Sequence, residues 1–224
     1  MTKTQVRQRI LDVGIIPVIR ASSAKEAIFA VEAVAAGGIS IAELTMTVPG
    51  AIEVIADLVR RMGEDVVIGA GTVLDAETAQ RCIDAGAQFI VSPGFDLATV
   101  TLANRLDSLV MAGALTPTEV ITAWKAGSDF VKIFPCGNVG GAKYIKALKG
   151  PLPQVPMIPT GGVNLETAAD FIRAGAAALG IGGELVSPAA LKSGDSLEIT
   201  RTARRYLAAI GEAQRPLAAT TVAT

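Results

Sequence analysis

Residues 109–135 contain three segments in sequence: LVMAG (Leu109–Gly113), PTEVITAWKA (Pro117–Ala126) and FVKIFP (Phe130–Pro135). The outer two are short apolar runs of strand character. The middle one has helical periodicity. It opens with a cap residue followed by proline, Thr116-Pro117, and it stops at Ala126-Gly127. The unit is therefore strand–helix–strand. Further strand-like runs lie at Ile15–Arg20, Ile41–Met46, Val67–Thr72, Phe89–Pro93, Met157–Gly161 and Ala178–Gly182. Alanine-rich amphipathic segments separate them: Ala24–Ala36, Ala51–Met62, Ala76–Ala85, Leu97–Leu106, Ala142–Lys149, Leu165–Ala174 and a last one near Leu197–Ile210. Ser22 or Ser23, Asp75, Asp96 and Asn164 supply further caps, and Gly37, Gly86 and Gly175 further stops. Eight alternations with little chain left over predict a single-domain α/β structure, a (β/α)8 (TIM) barrel. An open doubly wound sheet is the runner-up. Met1 to Asp12 reads as an N-terminal helix. The expected domain is 1–213, followed by a frayed Ala/Thr-rich tail over 214–224.

Lys132 is anomalous in this pattern. It stands in the middle of an apolar strand, where an unpaired ammonium costs several kcal/mol, so roughly that much must be recovered from a partner or from loss of the proton. Alternation along the strand puts Phe130, Lys132 and Phe134 on one face and Val131 and Ile133 on the other. On the second strand Glu43 lies between apolar neighbours. Strands two and six are both even-numbered, and alternate strands fill the same interior layer. Lys132 and Glu43 are thus either a structural ion pair or an amine nucleophile with a carboxylate proton shuttle. On the odd strands, Ile16, Val18 and Arg20 share a face, as do Ile68, Ala70 and Thr72, and Ile158 and Thr160. Arg20, Thr72 and Thr160 fall at strand exits, where this fold carries its sites. Arg20 suits a carboxylate, although a surface arginine is the plain alternative. Gly161-Gly162 and Gly182-Gly183 follow strands seven and eight, where glycine turns bind phosphate or are simply turns.

Composition narrows the function. The 224 residues carry 20 Lys+Arg and 21 Asp+Glu, a net charge of −1. This is no footprint for nucleic acid or an anionic membrane, and no apolar run is long enough to span a bilayer. There is no histidine, which excludes His-based triads and His-ligated metal sites and leaves acid–base work to carboxylates, lysine, tyrosine or water. Cys82 and Cys136 lack metal-ligand spacing and read as ordinary thiols in a reducing, cytoplasmic setting, with Cys136 a candidate for the pocket rim.

Eight short stretches, in order, resemble the 2-keto-3-deoxy-6-phosphogluconate (KDPG) aldolase family, which includes 4-hydroxy-2-oxoglutarate (KHG) aldolases. They are Pro17–Arg20, Glu43–Pro49, Gly69–Val73, Ser92–Gly94, Thr116–Glu119, Phe130–Pro135, Pro159–Val163 and Gly180–Gly183. The resemblance implies a class I aldolase on a TIM barrel, a homotrimer acting on a small 2-keto acid, with no metal and no organic cofactor. It makes Lys132 the Schiff-base lysine and Glu43 the general acid/base. Thr72 holds the pyruvate-derived carboxylate, and Thr160 bears on stereochemistry at C4. Pro93 and Phe134 line the pocket, and Gly161 and Gly162 bind phosphate. Two departures stand out. Thr47 occupies a position where many members have a carboxylate-gripping arginine, and Arg20 looks like its substitute. Gly183, followed by Glu184, occupies the place of a phosphate-binding serine, which favours a non-phosphorylated substrate such as 4-hydroxy-2-oxoglutarate. Competing readings are another phosphate-binding enzyme on the same barrel, and a non-catalytic trimeric assembly protein.

Overall fold

The computed structural model describes residues 1–214. Its strands are β1 (Ile15–Ile19), β2 (Ile41–Thr45), β3 (Val67–Gly71), β4 (Phe89–Val91), β5 (Leu109–Ala114), β6 (Phe130–Ile133), β7 (Met157–Pro159) and β8 (Leu179–Ile181). Its helices are α1 (Lys3–Val13), α2 (Ala24–Ala36), α3 (Ala51–Met62), α4 (Ala76–Asp84), α5 (Leu97–Arg105), α6 (Pro117–Lys125), α7 (Ala142–Lys149), α8 (Ala168–Arg173), α9 (Pro188–Ser193) and α10 (Ser196–Gln214). A 3₁₀ turn spans Cys136–Val139. Gln214 ends α10, and the rest of the expected frayed tail, 215–224, lies outside the described residues. No helix among the described residues is long and apolar enough to cross a membrane.

All neighbouring strands are parallel, in the order β7-β6-β5-β4-β3-β2-β1-β8. A bridge between Thr160 and Gly180 joins the two ends, so the ring closes as a (β/α)8 barrel. The pleat sorts side chains into two cores. Ile16, Ile41, Val67, Phe89, Val91, Leu109, Met111, Phe130, Ile158 and Ala178 fill the interior, and Val6 and Ile10 of α1 join them. Burying each large member contributes about 1.5–3 kcal/mol. Ile15, Ile19, Leu44, Ile90, Val131, Ile133 and Ile181 face the helices in the second core. α1 thus plugs the barrel's N-terminal end. Lys3 Nζ lies 2.9 Å from Asp129 Oδ2, and Arg7 stacks 5.1 Å from the Phe130 ring centroid. The expected faces hold for β1, β6 and β7 but not for β3. There Ile68 and Ala70 belong to the outer core, so Val67, Gly69 and Gly71 face inward.

The helix starts follow the caps. Ser23, Asp75, Asp96 and Thr116 each accept the backbone N–H three residues on. The left-handed stops fall on Gly38, Gly86, Gly127 and Gly175; the first is one residue later than Gly37. α8 begins three residues after the expected Leu165, because Asn164 spends its side chain on a turn, accepting from Glu166 N and Thr167 N at 3.0 Å. Sequence reading missed α9, although Ser187 before Pro188 carries the cap-and-proline signal.

One cap gives a pH test. Backbone N–H donation from Thr116 and Leu115, with the Thr116 hydroxyl, holds the Glu119 carboxyl below its ordinary range. A depressed folded-state pKa stabilises above the unfolded pKa and loses that stabilisation as pH falls through the folded value. Glu119→Gln should therefore destabilise the protein at neutral pH, and the deficit should vanish on acidification. Denaturant midpoints across pH 3–7 measure this; a pH-independent deficit would contradict it.

Candidate active site

Lys132 and Glu43 meet inside the barrel. β6 places Lys132 between Gly113 of β5 and Ile158 of β7, and β2 places Glu43 between Val18 of β1 and Gly69 of β3. Both side chains point inward above the apolar plug. Lys132 Nζ donates to Glu43 Oε1 at 3.4 Å, and the residues are 5% and 2% exposed. Space for the pair is made by small neighbours. A Cβ on Gly71 would lie 2.1 Å from Glu43 Oε1, and a Cβ on Gly113 would lie 2.2 Å from the Pro93 carbonyl. Pro93 is therefore packed over the strand beside Lys132. Phe134 puts its ring centroid 5.6 Å from Lys132 Nζ.

A cavity of about 150 Å³ opens at the C-terminal mouth. Its wall includes Arg20, Phe134, Thr160, Gly161, Gly162, Gly182, Gly183 and Glu184. Seven of the expected binding residues are thereby brought together. Thr160, nearly buried, lies against Gly180, where a Cβ would come 2.2 Å from its Oγ1. Gly161 and Gly162 have φ of 84° and 76°, so their turn is left-handed. Gly162 abuts Gly137, where an added Cβ would be 2.8 Å from Gly162 Cα. Cys136 N donates to Thr160 O and Gly137 N to Gly161 O, both at 2.9 Å. Among the described residues, the backbone N–H groups of Gly162, Gly183 and Glu184 have no acceptor, so the two turns present donors to the cavity. Gly182 and Gly183 do not have positive φ; Gly183 is exposed, as is Arg20 at the mouth.

Thr72 and Pro93 are not on that cavity wall. Thr72 comes just after Gly71 and has φ of 58°, an outlier for a β-branched residue that costs roughly 1–3 kcal/mol. This bend ends the strand's alternation, so Thr72 does not continue the Ile68/Ala70 face. It is held by flanking bonds, Met46 N to Gly71 O (2.8 Å) and Val73 N to Val91 O (3.1 Å). Thr72→Gly should match or exceed wild-type stability in denaturant unfolding, because relief of strain outweighs an entropic loss of about 1 kcal/mol. A clear loss of stability would remove the strain argument.

Cys136 is fully buried in the outer core and away from the rim, contrary to its candidacy for that place. Burial pushes both thiols up to about 11, so neither is a thiolate at neutral pH. Thr47 packs its hydroxyl 2.7 Å from that of Thr45, whose Oγ1 donates to Ile19 O. Thr47 also shares with Arg20 an outer cleft of about 590 Å³, which includes Lys192 of the unforeseen α9.

A (β/α)8 barrel with an amine and a carboxylate in contact inside its mouth has the ground plan of an enzyme that works on carbonyl compounds. The family description "KDPG and KHG aldolase" matches residues 6–202. A 2-dehydro-3-deoxy-phosphogluconate aldolase of Treponema pallidum is 35% identical over 200 residues, 89% of this chain and 94% of that protein. One from Dickeya dadantii is 33% identical, covering 92% and 96%. A KDPG aldolase structure from Legionella pneumophila, with pyruvate captured as a covalent carbinolamine, superposes with TM-score 0.83 at 30% identity, covering 90% and 98%. The chain belongs to the KDPG and KHG aldolase family.

Proposed function

We propose that the protein is a class I aldolase. It cleaves 2-keto-3-deoxy-6-phosphogluconate to pyruvate and glyceraldehyde 3-phosphate, or 4-hydroxy-2-oxoglutarate to pyruvate and glyoxylate. The observation that carries this is the Lys132–Glu43 contact of 3.4 Å within the barrel. Lys132, as the free amine, attacks C2 of the keto acid. Glu43 returns a proton to the departing hydroxyl, water leaves, and a protonated imine forms. Deprotonation of the C4 hydroxyl then breaks the C3–C4 bond. Its electron pair moves into the imine to give an enamine, and the aldehyde departs. Protonation at C3 and hydrolysis release pyruvate and restore the lysine. Arg20 and Thr72 hold the carboxylate, Thr160 faces C4, and Pro93 and Phe134 shape the walls. Gly161, Gly162, Gly182 and Gly183 line the place of the distal phosphate, with the N–H groups of Gly162 and Gly183 as donors.

The assembly proposed is a homotrimer. It rests on the family resemblance; Leu74 (65%) and Leu97 (58%), in the segments that follow β3 and β4, are exposed apolar side chains that such an interface could cover. The deciding experiment is borohydride reduction in the presence of pyruvate, followed by peptide mapping. A reduced pyruvyl adduct on Lys132 is expected. Folded protein that takes up no pyruvate, or takes it up on another lysine, would overturn the assignment.

A further inference from the structure

We infer that Ser92, the residue that follows β4, is a positioning residue for the lysine. Its hydroxyl holds the segment Pro93-Gly94 in place as the wall against which Lys132 is set. The inference rests on the aldolase reading and adds a residue that reading does not use.

The strand register puts this segment beside the lysine. Gly113 of β5 pairs with Lys132 of β6. Met111 belongs to the barrel interior, so by alternation the side-chain position of Gly113 faces inward too, next to the Lys132 side chain. Another part of the chain fills that position. A Cβ on Gly113 would lie 2.2 Å from the carbonyl carbon and oxygen of Pro93 and 2.5 Å from Gly94 N. The peptide between Pro93 and Gly94 therefore takes the inward place of the residue paired with the lysine.

Little else fixes the segment. Among the described residues, Pro93 and Gly94 make no backbone–backbone hydrogen bond, and a Cβ on Gly94 would meet nothing within 4 Å. Their polar tether is Ser92, whose Oγ donates to Gly94 O at 2.6 Å. The same oxygen accepts from Gly113 N at 3.4 Å. Ser92 N donates to Met111 O at 3.2 Å, so the hydroxyl carries the β4–β5 ladder one step further, at the point where the chain turns away into proline. One side chain thus ties the segment to the strand that adjoins the lysine. Ser92 is 3% exposed, and an alanine in that buried place offers neither bond. The segment is then free to lift from Gly113, and the lysine loses the wall that sets its approach to C2. A misplacement of about 1 Å costs a reaction up to about 10²-fold in rate.

The test sets Ser92→Ala against Ser128→Ala. Ser128 is equally buried, at 2%, and is likewise bonded to the β5 backbone, accepting from Ala112 N at 2.8 Å, but it precedes β6 at the barrel's N-terminal end. Ser92→Ala should lower kcat about tenfold to a hundredfold with KM nearly unchanged, the pattern of a misplaced reacting group. The rate of pyruvate trapping on Lys132 under excess borohydride should fall by the same factor. Ser92→Thr, which keeps the hydroxyl, should recover most of both rates. Ser128→Ala should lose comparable stability in denaturant unfolding and keep both rates. Equal kcat losses in the two alanine variants, or trapping at the wild-type rate in Ser92→Ala, overturns the inference. Should Ser92→Ala not fold, Ser92→Cys nearly keeps the volume with only a weak donor and carries the same comparison. Pyruvate trapping on wild-type Lys132 stands apart from these ratios and reports on the aldolase reading alone.

Discussion

Replacing Lys132 with alanine is expected to remove aldolase turnover, a loss of at least roughly 10⁴-fold in kcat, because Lys132 is the only buried lysine among the described residues. The substitution also strands Glu43, 2% exposed, without its partner. Breaking a buried pair on one side costs about 3–5 kcal/mol. The informative companion is therefore Lys132→Met with Glu43→Gln, which removes both charges and keeps the volume. It should recover most of the stability and none of the activity. Stopped assays with circular dichroism on the same samples read both quantities. A folded Lys132 variant that still cleaves keto acid above background would end the Schiff-base account.

The second large effect is expected from a methyl group. Gly71→Ala puts a Cβ 2.1 Å from Glu43 Oε1 and 2.5 Å from its Cγ. Neither backbone nor carboxylate can share that space, so Glu43 must rotate away from Lys132. The loss in kcat should approach that of Glu43→Gln, about 10²–10⁴-fold for a displaced acid–base group. Pyruvate trapping on Lys132 should slow in parallel. In a double-mutant cycle, the two changes should be strongly non-additive, since both remove the same function. Gly211→Ala is the control. It lies in α10 with open space at the new Cβ, so it should leave kcat alone and add up to about 1 kcal/mol of stability. Full activity in Gly71→Ala would mean that Glu43 is not the proton shuttle.

The lysine–glutamate contact was legible because it depends only on pleat parity and strand numbering, and both are carried by short apolar runs. The barrel was legible for the same reason. The errors share a different origin. Parity fails at Thr72, where a positive φ ends the alternation, and no residue type announces that bend. Strand ends were read too long at Arg20, Pro93 and Gly161, because the chain carries no glycine or cap signal at the last ladder bond. Helix α9 was unread because its six residues are too few to show helical periodicity. The cap signal at Ser187-Pro188 reveals the helix but not what it approaches.

The close approach of Gly137 and Gly162 limits how this enzyme can diversify. The turn that follows the lysine strand and the turn that follows β7 are bolted together by two backbone bonds and have no room for a side chain between them. Inserted residues in either turn would move the nucleophile and the anion-binding turn relative to each other, so selection for a new aldehyde cannot work there. The segments free to lengthen or change are those that follow the other strands around the mouth. Libraries aimed at altered substrate range belong in residues 21–23 and 184–187, with the two glycines held constant.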